Sequence, residues 1–159
     1  MLGRVSRIAL TCCVAFAGNA SARDAVSLAA ISDLSEGGQS RVIDLRDEKS
    51  CMDGSLPHAR CLPLGHFIDP TGKAIGFHAL RWLLGTVGLT GEESVLLIGE
   101  SEAAVQKVGV LLHRAGQQRV LMFDKSFRAQ ANASPGMSRS LSRETVFTAP
   151  MRDDLYEKN

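Results

Sequence analysis

Residues 94–116 read SVLLIGESEAAVQKVGVLLHRAG, and this stretch decides the fold class. SVLLIG is nearly all apolar and as long as one strand, the composition of a strand covered on both faces of its sheet. AAVQKVGVLLHRAG places Val105, Val108, Leu111 and Leu112 at helical spacing, with a glycine at its end. The loop between them, GESEAA, lies where strand–loop–helix units of many α/β enzymes mount a reacting group. It holds no Cys, His or Lys.

Working outward, the same alternation continues on both sides. RVLMFD (119–124) reads as the next strand. FHALRWLLGTVG (77–88) sets Phe77, Leu80, Leu84 and Val87 along one helical face, and its only tryptophan, Trp82, reads as core or rim packing. RVIDLR (41–46) is a short β-branched run, and ARCLPLG (59–65) a brief strand that Pro63 stops. DEKSCMDGS (47–55) reads as loop. AVSLAAISDLSEGG (25–38) spaces Leu28, Ile31 and Leu34 as a helix that Gly37 and Gly38 end. Strands alternating with helices predict an α/β domain built on a small parallel sheet with right-handed crossovers.

The amino terminus reads as a secretory signal peptide over residues 1–22. MLGRVSR is basic, IALTCCVAFAG apolar, and Ala20-Ser21-Ala22 a small-x-small cleavage site. The apolar run is shorter than the roughly 20 residues that span a bilayer, so no membrane anchor is expected after cleavage. The expected organisation is a domain over 23–130 and a partly flexible tail over 131–159, where AQANASPGMSRSLSR reads as linker. Within that tail ETVFTAP could add a small strand or dock on the domain or on another protein. The formal net charge of +1 and the lack of a basic patch with interleaved aromatics argue against a nucleic-acid partner. Export would place the protein in the periplasm or outside the cell, where Cys51 and Cys61 meet an oxidising environment.

Two passages together resemble the rhodanese-like domain. VIDLRDEKSCMDGSLPHARCLPL (42–64) is similar to the family's strand ending in Asp-x-Arg, followed by a variable loop and Gly-His-Ile-Pro-Gly-Ala-x-Asn-Ile-Pro. Asp44, Arg46, Gly54, Pro57, Ala59 and Pro63 match; Ser55, His58 and Cys61 depart. The opening stretch with QQRVLMFDKSF (117–127) resembles the family's central strand, active-site loop, helix and following strand. The family's Gly-Gly turn would fall on Lys125 and Ser126, another departure, with Phe127 a match after it. The resemblance implies that Asp44 and Arg46 organise a strand end.

Rhodaneses carry sulfane sulfur as a persulfide on a cysteine at the head of that loop, within cationic and N–H-rich surroundings that stabilise a thiolate. The resemblance puts that cysteine at Gly99, so the loop is Gly99, Glu100, Ser101, Glu102, Ala103 and Ala104. Glycine carries no sulfur, no Cys follows Cys61, and the family's arginines are absent. At ~5 Å and an effective dielectric of ~20, each of Glu100 and Glu102 would cost a bound anion about 3 kcal/mol before screening. Ser101 reads as a helix N-cap rather than a nucleophile, since no histidine is tied to it by spacing. Glu100 and Glu102 read as dipole complements rather than an acid–base pair or a metal site. Neither a metal nor a cofactor is implied, because His58, His66, His78 and His113 lack ligand spacing.

Cys51 and Cys61 therefore hold the remaining sulfur chemistry. A structural disulfide is the favoured reading; a redox or persulfide-carrying pair, and two free thiols, are the alternatives. The resemblance and its vacancy together imply an exported module without sulfurtransferase activity, acting through an unidentified protein partner as a binding, regulatory or accessory protein. The alternative function is thiol or persulfide exchange in the periplasm through Cys51 or Cys61.

Overall fold

The computed structural model describes the backbone of residues 26–29 and all atoms of residues 40–123 and 134–152. The expected signal peptide, with Cys12 and Cys13, lies outside the described residues. So do residues 30–39, 124–133 and 153–159.

The strands are β1 (Val26–Ala29), β2 (Ser40–Asp44), β3 (Arg60–Cys61), β4 (Ser94–Ile98), β5 (Arg119–Phe123) and β6 (Met137–Ser138). They form one sheet in the order β1-β5-β4-β2-β3-β6, with every pairing parallel. The helices are α1 (Glu48–Asp53), α2 (Phe77–Gly85) and α3 (Glu102–Arg114). β4 is buried along its whole length. Val95 and Leu97 point into the larger core with Leu84, Val108 and Leu112, while Leu96 and Ile98 join Val42, Leu56 and Ala59 on the other face. A strand with apolar neighbours on both faces needs apolar side chains on both, which is why VLLI after Ser94 shows no alternation.

Three segments differ from the sequence reading. The stretch around Leu28, spaced like a helix, contains β1, whose Val26 and Leu28 sit in register with Val120 and Met122 of β5. A four-residue apolar run fits either period, and pairing along an open sheet edge supplies the backbone bonds that decide it. DEKSCMDGS, expected as loop, contains α1. The Asp47 Oδ1 caps it by accepting from the Ser50 N–H at 2.9 Å, Glu48 lies in its first turn, and Lys49 pairs with Asp53 one turn on.

The third is the tail. Residues 134–152, of which 134–143 read as linker in the sequence, form an extended arm against the domain, and Phe147 of ETVFTAP docks in its core. β6 adds to β3 at the sheet edge, Ser134 bridges Ser55, and the N–H of Arg152 donates to the Arg114 carbonyl at 2.9 Å. Phe147 is 2% exposed within the main core. Gly136 marks a place where backbone must approach other atoms closely. A Cβ on Gly136 would lie 2.5 Å from the Cys51 sulfur and 2.7 Å from that of Cys61.

Candidate functional site

Sheet order locates the site before any side chain is considered. The chain leaves β2 for β3 on one side and leaves β4 for β5 on the other, although β2 and β4 are neighbours. Their following loops diverge, and a crevice opens at the carboxyl ends of the two strands, where open α/β sheets bind ligands. This crevice holds about 270 Å³ and is lined by Leu45, Arg46 and Asp47 after β2, and by Gly99, Glu100 and Ser101 after β4. Leu64, Ala104 and Val105 complete it. Every residue of the GESEAA loop that the resemblance implicated, except Glu102 and Ala103, therefore faces one cavity.

At the head of the loop stands Gly99. Its φ is outside the left-handed region, so the backbone alone would accept any residue. Space would not. A Cβ here would lie 2.5 Å from the Val105 Cγ2 methyl, which α3 holds against the loop. The methyl fills the place where a side chain at this position would begin. Ser101 caps α3, its hydroxyl accepting from the Ala104 N–H at 3.4 Å, and Glu102 lies in the first turn. None of the four histidines lines the crevice, so no imidazole faces the Ser101 hydroxyl there.

The one cation of the crevice is already committed. The Arg46 Nη2 donates to the Asp44 Oδ2 at 2.6 Å and to the Gly54 carbonyl at 2.6 Å, while its Nε donates to both Asp44 oxygens. Asp44 is fully buried and also accepts from the Ser55 hydroxyl at 2.7 Å. The hydrogen bond to Asp44 raises the Arg46 pKa against the opposing effect of burial, with the fields of Asp44, Glu100 and Asp47 adding to it. With Arg46 neutralised by Asp44, the exposed carboxylates of Asp47 and Glu100 set the field at the mouth. An incoming dianion meets repulsion where a thiolate-based anion site needs attraction.

The motif residues share this construction role. Gly54 gives Arg46 its carbonyl, and Pro57 opens a turn closed by the Ala59 N–H donating to the Leu56 carbonyl at 3.1 Å. His58 occupies that turn's third position with φ +62°, a conformation that suits glycine. Cys51 and Cys61 are joined by a disulfide with Cα atoms 5.7 Å apart, tying α1 to β3. Both residues are at most 1% exposed and lie beneath Gly136 of the arm. Nothing in the sequence signalled that cover, because the contact joins residues far apart in the chain.

Among the described residues no cluster of three or more His, Cys, Asp or Glu side chains gathers as metal ligands, and no helix is long and apolar enough to cross a membrane. No protein-family model and no curated protein matches the chain. Among solved structures it is similar to YnjE, at 19% identity and a TM-score of 0.61, over 72% of this chain and 29% of that one. A complex of an EanB variant with hercynine aligns at 18% identity and a TM-score of 0.49, over 68% of this chain and 26% of that one. The chain thus spans less than a third of the length of either. The likeness to YnjE is one of fold: a small parallel sheet flanked by helices.

Proposed function

We propose that this chain is an exported rhodanese-like module that has lost sulfur transfer and works as a binding, regulatory or accessory protein. The observation that carries the proposal is the state of position 99. The crevice stands where the topology puts it, but a glycine replaces the reacting residue and the Val105 methyl occupies the vacated space. Committed Arg46 and the outward Asp47 and Glu100 support the same reading, since they leave the mouth poor for thiosulfate. The disulfide agrees with export to an oxidising compartment, as does the signal-like pattern of residues 1–22.

Thiol or persulfide exchange through Cys51 or Cys61 draws less support. Both sulfurs are bonded to each other and roofed by Gly136, whereas exchange needs an accessible thiolate in an electropositive setting. A thiosulfate-to-cyanide transfer assay on the purified chain separates the readings. Thiocyanate formation at background is expected. Turnover above background overturns the proposal, and turnover that disappears in the Cys51→Ser/Cys61→Ser variant assigns the chemistry to the pair.

A further inference from the structure

A second cleft, of about 290 Å³, lies away from the crevice, between α2 and the arm. His78, Arg81 and Trp82 stand one helical turn apart on one face of α2, and Arg143, Val146 and Phe147 face them from the arm. Its floor is apolar and fixed by the buried Phe147. Its rim combines cations with exposed apolar surface: Trp82 is 43% exposed and Val146 56%. Exposure of two large apolar groups around one cleft is a cost that a partner would remove.

Among the described residues, the arginines at this rim contact carbonyls, rings and backbone rather than carboxylates. Arg81 donates through Nε and Nη2 to the Phe147 carbonyl, at 3.0 and 2.5 Å, and lies 5.5 Å from the Phe77 ring. A carbonyl satisfies its hydrogen bonds and leaves its charge in place. Arg139 sits 5.9 Å from the Trp82 ring, and Arg143 lays its stem along Gly85. None of these three arginines forms a salt bridge among the described residues. The nearest carboxylate on the arm, Glu144, is engaged by Arg60 and Ser140.

We propose that this cleft docks an acidic peptide segment of another protein, with one aliphatic side chain against Trp82 and Val146 and flanking carboxylates on Arg81 and Arg143. Charge complementarity selects the carboxylates. The apolar floor and rim select a peptide over a bare ion, and a cleft of this size seats a side chain rather than a larger ligand. Arg81 is held in place before binding, so little rotamer freedom is lost on engagement. The proposal rests on the module reading and gives it a surface and a partner chemistry.

The test uses Trp82, the only tryptophan of the chain, as its own reporter. An acetylated and amidated Asp-Glu-Leu-Glu-Asp peptide is titrated into the full chain while Trp82 fluorescence is followed. A saturable change is expected, weakened about tenfold or more in Arg143→Gln and Arg81→Gln, and weakened again as salt rises. Circular dichroism verifies that each variant is folded; Arg143→Gln, whose head group is at the rim, keeps the test valid should Arg81→Gln unfold. Four results overturn the proposal: no saturable change; equal binding of the Asn-Gln-Leu-Gln-Asn peptide; equal binding of inorganic phosphate; or a fluorescence change that tracks protein concentration, which would mark the face as a contact between copies. A failed titration leaves the loss of sulfur transfer standing, since the two assays address different faces of the molecule.

Discussion

Adding a single methyl to Gly99 tests whether Val105 fills the space beside this position. In Gly99→Ala the new Cβ starts 2.5 Å from the Val105 Cγ2, against the roughly 3.5–4.0 Å at which carbon atoms rest. Val105 is 4% exposed, and a valine in a helix keeps one χ1 rotamer about 90% of the time, so it has little room to turn away. Overpacking of this kind costs about 1–3 kcal/mol. The ordinary Gly→Ala gain of about 0.4–1 kcal/mol from the unfolded chain leaves a net loss of roughly 1–2 kcal/mol. Val105→Ala alone loses two buried methyl groups, about 1.6 kcal/mol, plus a cavity term. Combined, the new methyl enters the space the old ones left, and the double variant falls short of the sum of the singles by about 1–2 kcal/mol. Urea unfolding followed by circular dichroism reads this directly: at a slope of roughly 1–3 kcal/mol per molar, each single substitution moves the midpoint by about 0.5–1 M. Gly99→Ala as stable as the parent, or additivity within about 0.5 kcal/mol, refutes the reasoning.

Replacing both Cys51 and Cys61 by serine releases a closure of sequence separation 10 and is expected to cost about 2–3 kcal/mol, with faster protease cleavage of the arm that rests on the sulfurs; unchanged stability and cleavage would contradict this. His58→Gly removes a non-glycine residue from φ +62° and should raise the thermal midpoint, by the equivalent of about 0.5–1 kcal/mol once the added freedom of the unfolded chain is counted; a lower midpoint counts against the turn geometry. Acid should loosen the far end of the arm first. Burial, and then the charge of Arg152, lower the His113 pKa below its ordinary 6.5, and Arg152 donates to its Nε2 at 2.7 Å. That contribution is complete above pH 6.5 and is lost as the pH falls through the lowered folded value. Glu144, lowered by its hydrogen bond from Ser140 and then by Arg60, follows below its ordinary 4.5. Thermal midpoints that rise from pH 7.5 to pH 5 would have the wrong sign.

Local signals carried most of the fold and failed where a distant partner decided. β4 and α3 were legible because burial on both faces favours apolar side chains from Val95 to Ile98, and one buried face fixes the spacing of Val105, Val108 and Leu112. α1 was masked by its polar composition, although the Asp47 cap and the Lys49–Asp53 pair were present in the letters. ETVFTAP reads as able to dock on the domain, as the buried Phe147 does, but the run before it reads as linker for a deeper reason. Ser, Gly and Pro mark flexible chain when they face solvent, and they equally mark chain laid close against other backbone. Residues 134–152 are of the second kind, as the approach of Gly136 to the disulfide and the burial of Phe147 show. Composition does not separate the two cases; only the partner surface does.

The crevice shows why the vacancy at Gly99 could be read and its consequence could not. The missing side chain is a matter of one letter, and the resemblance of residues 42–64 says which letter is expected. Whether restoring the letter restores a site depends on Val105, six residues on, whose identity as an apolar helix residue is unremarkable in any sequence of this class. Asp44 and Arg46 show the complementary case. Their carboxylate–guanidinium clasp reaches the Gly54 carbonyl and the Ser55 hydroxyl, so it holds the β2 end to the loop before β3 whether or not chemistry occurs beside it. Residues whose work is construction are kept by the fold's own stability, since breaking a buried pair strands a charge at a cost of about 3–5 kcal/mol. A group whose only work is reaction has no such hold. Once it is gone, its space is open to the neighbouring methyl. Under the proposed loss of sulfur transfer, the expected pattern is therefore an intact clasp beside a filled space, and Gly99→Cys with Val105 in place should give no sulfur transfer.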